Sequence, residues 1–503
     1  MVSDTTRLLS GAVIRAREEL LTNDLTEKLG YSFALWLARR LDTTPDKLAI
    51  SVGRDSRPSG SRLAHAIIDG LTAADADVYD CGMATTPAMQ MSIELGDIRA
   101  NGAVMVTASA RESCMNGFKF FTPDGAVTPE DAQAILEMAL AATVPHRLVK
   151  PLDLMAEYRA RLKSIVFEFM GEEVALPLLG LHVVIDASSG VGGFYAELLE
   201  SLGADTEGSL NLEPDGLFLS HLPNPESPEA LRALSASVIE NEADLGILFD
   251  ADGDRVAIVD QNGKVINRNR LIALIAAILL EDEKNLTFVT DSVTSSGLTR
   301  FITEWGGTHY RYRRGHKNVI DEAKRLAAEG FNVPAAIETS GHAAMAENYF
   351  IDDGMYLATK IVCEAMWRKR DGLTLSSLID ELQEPQESVE VRLPIIQDDY
   401  KRAAGYVIEA VLSHTLTNPE WRLAPDNREG LRILFSLDGG VDNAWFMLRL
   451  SIHDPVMPVN AESDVPGGLE HILNQLYAVL EKDNEELDLT PLRAAIDQLK
   501  QNK

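Results

Sequence analysis

The chain has 503 residues, 46% hydrophobic and 24% charged, a composition that argues for a globular fold and a length that argues for more than one domain. Its formal charge of −31 argues against nucleic acid and anionic membranes as partners. Its longest apolar run, residues 271–280, is about half of what a membrane span needs and is expected to be a core helix.

The amino terminus carries Asp4, Arg7 and Arg15 without a continuous apolar core, so no signal peptide is expected. Cys81, Cys114 and Cys363 are too scattered for a disulfide framework or a zinc pattern, and a reducing cytoplasm is the expected location.

The first clear unit, residues 48–71 (LAISVGRDSRPSGSRLAHAIIDGL), reads as an apolar strand, an aspartate, a Ser/Gly turn and a helix. Residues 181–203 and 286–307 repeat that grammar, with Asp186 and Asp291 in the place of Asp55. Each helix ends near glycine ahead of a further candidate strand, the pattern of a mostly parallel, helix-covered sheet. Three related α/β domains are expected at 1–150, 151–283 and 284–385. After about residue 386 the pattern changes to SVEVRLPI, a helix near 399–415, then GLRILFSL and NAWFMLRLSI, which predicts a smaller α+β domain over 386–503.

Two stretches carry candidate chemistry. In residues 103–121 (AVMVTASARESCMNGFKFF) an apolar strand breaks at Thr107-Ala108-Ser109, and Asn116-Gly117 is expected to reverse the chain and return Lys119 toward Ser109. Such a serine is a nucleophile, a phosphorylated residue or an ordinary turn serine. In residues 245–260 (LGILFDADGDRVAIVD) two apolar strands flank Asp250, Asp252 and Asp254. Alternate positions of extended chain share a face, so the three carboxylates are expected to converge on a hard cation such as magnesium or calcium. An acidic hairpin turn is the competing reading. An EF-hand is excluded, because Arg255 and Gln261 stand where its glycine and glutamate belong. A haloacid-dehalogenase-type phosphatase also places an aspartate pair after a strand. The adjacent Arg255 points to an anion, and a phosphate would satisfy both it and a metal. The basic island RYRRGHK, residues 311–317, is either a solvated loop or a site of anion capture.

Taken together, TAS with NGFK, DGLFLSHLPNPE, DADGDR, GHKNVI, ETSGH and RLSIHDP resemble, in this order, the motifs of the α-D-phosphohexomutases, which include phosphoglucomutase and phosphomannomutase. The resemblance spans nearly the whole chain and implies four domains around a central cleft. It implies that Ser109 carries a phosphoryl group and, with Asp250, Asp252 and Asp254, binds Mg2+, while Arg255 positions the transferring group. Lys119 would do general acid or base work, and Arg15 would act electrostatically, since an arginine base needs an implausible pKa. His316 is implied in the site, and Glu338, Ser340, His342, Lys317, Arg449, Ser451 and His453 in substrate binding. The implied reaction interconverts hexose 1-phosphate and hexose 6-phosphate, of glucose or mannose, through a hexose 1,6-bisphosphate.

Two departures from the family pattern stand out. His-Asn-Pro usually follows the serine, but Ala110-Arg111-Glu112 stand there, so the stiffening proline is missing. The fourth-domain loop usually reads Arg-x-Ser-Gly-Thr-Glu-Pro with a further basic residue. Here Arg449 and Ser451 remain, with Ile452, His453 and Asp454 after them, and 458–460 supply no second arginine. A weaker phosphate clamp keeps two other readings open: a magnesium-dependent sugar-phosphate phosphatase and a non-catalytic sugar-phosphate-binding protein.

Overall fold

The computed structural model describes residues 8–96, 98–144, 150–171, 174–451, 454–482 and 486–501. They form two compact units, one built from 1–267 and 340–378, the other from 268–339 and 379–503.

The first unit holds two sheets. In one, the strands run in the order Leu9–Ser10, Val13–Arg17, Met115–Thr122, Gly102–Val106, Ala49–Arg54, Asp77–Met83 and Lys150–Pro151. From Gly102–Val106 to Lys150–Pro151 neighbours are parallel, and toward Leu9–Ser10 they are antiparallel. Its core joins Leu29, Phe33 and Leu37 of helix Asn23–Arg40 and Ile67 and Leu71 of helix Gly60–Ala73 to Ile50, Val52, Val104 and Phe120 of the strands. The other sheet runs Val265–Ile266, Val256–Asp260, Leu245–Phe249, Val183–Asp186. Leu245–Phe249 is antiparallel to Val256–Asp260 and parallel to Val183–Asp186, and every residue of these three strands is buried. The candidate metal loop therefore leaves a sheet that is covered on both faces.

In the second unit, Thr308–Tyr312, Thr287–Asp291 and Ala335–Ile337 are parallel. The apolar run lies in helix Arg268–Asp282, with Leu271 through Ala277 all buried, as expected of a core helix. Beyond it, Glu387–Pro394, Val456–Ser463, Ala444–Leu448, Leu431–Phe435 and Arg422–Leu423 form a wholly antiparallel sheet. Helices Tyr400–Thr417, Gly468–Lys482 and Thr490–Gln501 share its core. Three α/β/α domains followed by a sheet-containing C-terminal domain thus match the fold class read from the sequence.

Three local readings change. Asn116-Gly117 is not a turn but part of strand Met115–Thr122, and the reversal lies before Met115. Gly117 is needed there for close approach, because a Cβ would lie 2.5 Å from the Ile14 carbonyl oxygen and 3.0 Å from Arg15 Cα. The second repeat has no full strand after its helix; single bridges His182 to Asp205 and Asp186 to Leu210 replace it. Finally, residues 250–255 are a tight turn rather than extended chain. Gly253 sits at φ +76, and Asp250 Oδ1 accepts the amides of Gly253 (3.0 Å) and Arg255 (3.3 Å). The carboxylates meet through this turn, not through strand alternation.

One buried acid gives the fold a pH dependence. Asp353 caps helix Gly354–Arg370 by accepting from the Tyr356 amide (2.8 Å), and also accepts from the Tyr158 hydroxyl (2.7 Å) and Asn348 Nδ2 (3.1 Å). Burial raises its pKa from 3.8 to about 6 despite these donors. A raised acid favours the folded state while protonated, so that contribution is full below pH 3.8 and lost as pH rises through about 6. The loss is on the order of 2–3 kcal/mol at 1.36 kcal/mol per pH unit. The melting temperature is expected to fall between about pH 4 and 6, and Asp353→Asn to flatten that slope. Equal slopes for parent and variant would remove Asp353 as the cause.

Candidate functional site

Strand Gly102–Val106 ends at Thr107, whose Oγ1 donates to Asp55 Oδ2 (2.7 Å) and accepts the Ser109 amide (2.8 Å). Ser109 sits at φ +55, a left-handed conformation that an L-residue adopts only when its surroundings impose it. Its hydroxyl donates to Asp250 Oδ2 (3.1 Å) and accepts from Arg255 Nη2 (3.1 Å). The loop serine and the acidic turn, 141 residues apart in sequence, therefore share one site.

Asp250, Asp252 and Asp254 are buried, and their ligating oxygens lie within 4.8 Å of one another. Lys119 Nζ bridges Asp252 Oδ2 (2.8 Å) and Asp254 Oδ2 (2.6 Å), and Arg255 Nε holds Asp250 Oδ2 (3.0 Å). Thr86, at the start of helix Thr86–Glu94, donates its hydroxyl to Asp252, and its amide donates to the Asp252 carbonyl (2.9 Å). Burial, with repulsion from Asp254 and Asp252, raises the Asp250 pKa well above the carboxylate range. Burial also works against charge on Asp254, but Lys119, His342 and Arg255 hold its pKa below the usual value. Burial opposes the charge on Lys119 as well, yet the two aspartates keep its pKa above normal. Asp252 Oδ1 and Asp254 Oδ1 are buried without a hydrogen-bond partner. Orphaned hard oxygens in a converging carboxylate set are what a divalent cation satisfies, so these residues fit a metal ion.

Arg15 lies in strand Val13–Arg17, in register with Gly117, and its Nε is buried without a partner. Burial, reinforced by Arg111, lowers its pKa to about 10, so it remains a cation at neutral pH. His342 pairs through Nδ1 with Asp352 Oδ2 (2.7 Å) and lies 4.0 Å from Asp254 Oδ1. Ser340 opens the 340–378 segment of the same unit and is partly buried.

The other expected site residues belong to the second unit. Glu338 is buried and accepts the Gly315 amide at 2.5 Å, which ties it to the turn before helix His316–Ala328. His316 is the first residue of that helix, and Lys317 pairs with Asp321 (2.9 Å) on it. The basic island divides its roles. Arg311 is buried and structural, bound to Asp426 (2.7 Å) and the Ser295 carbonyl (2.8 Å). Arg314 instead approaches Asp291 Oδ2 (3.9 Å). Arg449 is buried with its Nε lacking a partner; burial lowers its pKa, Glu429 opposes this and Arg314 adds to it. A second arginine thus stands in the electrostatic reach of Arg449, and it comes from the third domain rather than from 458–460. Ser451 Oγ accepts the Asp454 amide (3.4 Å). His453 lies outside the described residues.

Thr86, Asp352 and Arg57 carry no signal in the sequence, and Arg314 is marked there only as part of the basic island 311–317. Thr86 and Arg57 act through contacts distant in the chain, whereas Asp352 acts through nearby His342.

Models of phosphoglucomutase/phosphomannomutase α/β/α domains I, II and III match residues 10–144, 157–263 and 267–385. The chain belongs to the phosphoglucomutase/phosphomannomutase family. It is 30% identical to a phosphomannomutase/phosphoglucomutase of Pseudomonas aeruginosa, over 89% of this chain and 92% of that protein. It is 28% identical to a phosphoglucosamine mutase of Ligilactobacillus salivarius, over 88% of this chain and 94% of that one. A crystal structure of a phosphoglucomutase/phosphomannomutase family protein from Burkholderia thailandensis matches with a TM-score of 0.81 at 24% identity, covering 97% of this chain and 100% of that one. As a family member the chain is a hexose-phosphate mutase, an intramolecular phosphotransferase. No helix among the described residues is long and apolar enough to cross a membrane.

Proposed function

We propose that this phosphohexomutase interconverts the 1- and 6-phosphates of glucose or mannose, with Ser109 as phosphoryl carrier, in the cytoplasm. The observation that carries the reading is the Ser109 hydroxyl, held 3.1 Å from both Asp250 and Arg255 at the edge of the acidic turn. Asp250, Asp252 and Asp254, with a phosphoryl oxygen on Ser109, would hold Mg2+; when bound, it supplies neutralisation of the charge on the transferring phosphoryl.

The chain's own groups supply the rest. Arg255 aims the Ser109 oxygen and binds phosphoryl oxygens as a fixed cation. Lys119 holds a proton at Nζ, and we assign it as a relay that gives this proton to the Ser109 oxygen as the phosphoryl leaves and takes the one released by the sugar hydroxyl that gains phosphate, with the reverse in the return step. Arg15 and His342 frame the same end of the site by charge. The phosphoserine donates to a hexose 1-phosphate, giving a hexose 1,6-bisphosphate that reorients and returns its other phosphate to Ser109. Glu338 and Ser340 are assigned to sugar hydroxyls, His316 and Lys317 to the substrate end of the third domain. Arg449, Ser451 and His453 are assigned to the distal phosphate, with Arg314 as the second cation of that clamp. The same reading divides the chain into domains 1–150, 151–283, 284–385 and 386–503.

A coupled assay with glucose 1-phosphate, mannose 1-phosphate and glucosamine 1-phosphate tests the reaction and its range. Isomer formation is expected, and inorganic phosphate released faster than isomer would overturn the mutase reading. The mutases named above give no support to a phosphatase or a non-catalytic sugar-phosphate binder. Arg449→Ala is expected to raise KM at least tenfold, on the order of the 1.5–3 kcal/mol of a charged hydrogen bond, and to increase escape of the bisphosphate. Unchanged KM with no loss of intermediate would remove the fourth domain from phosphate binding.

A further inference from the structure

Arg57 follows the first repeat strand, and its side chain is completely buried. All five of its N–H donors are used. Nε donates to Asp55 Oδ2 (2.9 Å), and Nη1 to the carbonyls of Glu112 (2.6 Å) and Met115 (2.9 Å). Nη2 donates to the carbonyls of Ser109 (2.5 Å) and Arg111 (2.9 Å). One guanidinium thus gathers four carbonyls from residues 109–115, a stretch with neither proline nor glycine to set its path.

We propose that Arg57 is a positioning residue for phosphoryl transfer. Its fork, backed by Asp55, rather than stiffness of the loop itself, sets the left-handed turn at Ser109 and so the direction of the Ser109 hydroxyl. The proposal rests on the reading of Ser109 as phosphoryl carrier.

The Ser109 peptide groups are held from both sides by the same buried pair. Its carbonyl accepts from Arg57 Nη2, and its amide donates to Thr107 Oγ1, which donates in turn to Asp55 Oδ2. Asp55 Oδ1 also accepts the Arg57 amide (3.1 Å), so carboxylate and guanidinium are locked in register. With amide and carbonyl both fixed, φ and ψ of Ser109 have no freedom, and the hydroxyl meets Asp250 and Arg255 without a search. The Phe218 ring, from the second domain, lies 5.1 Å from the guanidinium carbon and closes its face. Lysine cannot substitute, because three donors on a single nitrogen do not span five acceptors set out for a planar fork.

The test is Arg57→Lys in the full chain, assayed per folded molecule at saturating Mg2+. The expected result is a fall in kcat of at least 100-fold, with KM for hexose phosphate and the half-saturating Mg2+ concentration each within threefold of the parent. The aspartate triplet and the substrate groups do not touch Arg57, so a misaimed serine lowers the rate without loosening either ligand. A loss only in proportion to the unfolded fraction, or a raised KM at full kcat, would overturn the proposal. Thr107→Val, nearly isosteric, covers the case in which Arg57→Lys does not fold. It breaks the other arm of the frame and should lower kcat at least tenfold at unchanged KM, and a full-rate Thr107→Val would overturn the proposal. Ser109→Ala separates this idea from the one beneath it. An active Ser109→Ala would end the phosphoserine reading itself, whereas an inactive Ser109→Ala beside a full-rate Arg57→Lys would end this proposal alone.

Discussion

Ser109→Ala is expected to abolish isomerisation, by about 10⁴-fold or more, or about 5.5 kcal/mol at 1.36 kcal/mol per decade. The hydroxyl is the only oxygen on its side chain, and no neighbour replaces it: the groups within hydrogen-bond distance of it are a carboxylate and a guanidinium. Folding should survive, because Ser109 sits in a loop held by its backbone rather than by its side chain. Ser109→Gly sharpens the test. Its activity loss should equal that of alanine, but glycine adopts φ +55 without strain, so its melting temperature should exceed that of Ser109→Ala by the equivalent of about 1 kcal/mol. Intact-mass measurement of freshly purified parent should reveal a phosphorylated fraction that maps to Ser109 and is absent from both variants. Parental isomerisation by either variant would rule out the phosphoserine.

What could be read in the sequence was what repeats or alternates. The three strand–aspartate–turn–helix units were legible because period and composition agree across them, and their aspartates do one job in the structure. Asp55 holds Thr107 and Arg57; Asp186 holds the Ser188 amide, Asn211 and His221; Asp291 holds Thr339. The acidic triplet was legible because three carboxylates beside buried strands demand a partner. What failed was local turn logic. Asn-Gly is a strong turn signal in isolation, but at 116–117 the glycine answers the strand of Arg15, about a hundred residues upstream, and tertiary packing overrode the local preference. Arg57 was invisible for a related reason. Nothing in GRDSRPSG shows that the second arginine will meet carbonyls 52 to 58 residues away. The loop's missing proline is visible in the sequence, but the guanidinium that takes its place lies outside the loop.

The acidic turn carries the second large effect. Among the described residues Lys119 and Arg255 hydrogen-bond to the three buried carboxylates, with His342 4.0 Å from Asp254, and burial with mutual repulsion raises the pKa of Asp250. A bound divalent ion would relieve that repulsion, so Mg2+ should raise the parent melting temperature, by the equivalent of about 2.7 kcal/mol at one hundred times Kd. Chelation should abolish isomerisation, and Mg2+ should restore it. Asp252→Asn removes one charge at nearly constant volume. Lys119 keeps Asp254 as a partner (2.6 Å), and the remaining two carboxylates balance the two cations. The metal-free variant should therefore melt at or above the parent temperature, while its response to Mg2+ shrinks and its activity falls on the order of 10³-fold, the several kcal/mol that a metal contributes to phosphoryl transfer. The combination is diagnostic, because a substitution that merely damaged the fold would lower stability and activity together. Unchanged activity in Asp252→Asn, or a Mg2+ response equal to the parent's, would return residues 250–254 to an acidic turn whose charges serve only Lys119 and Arg255.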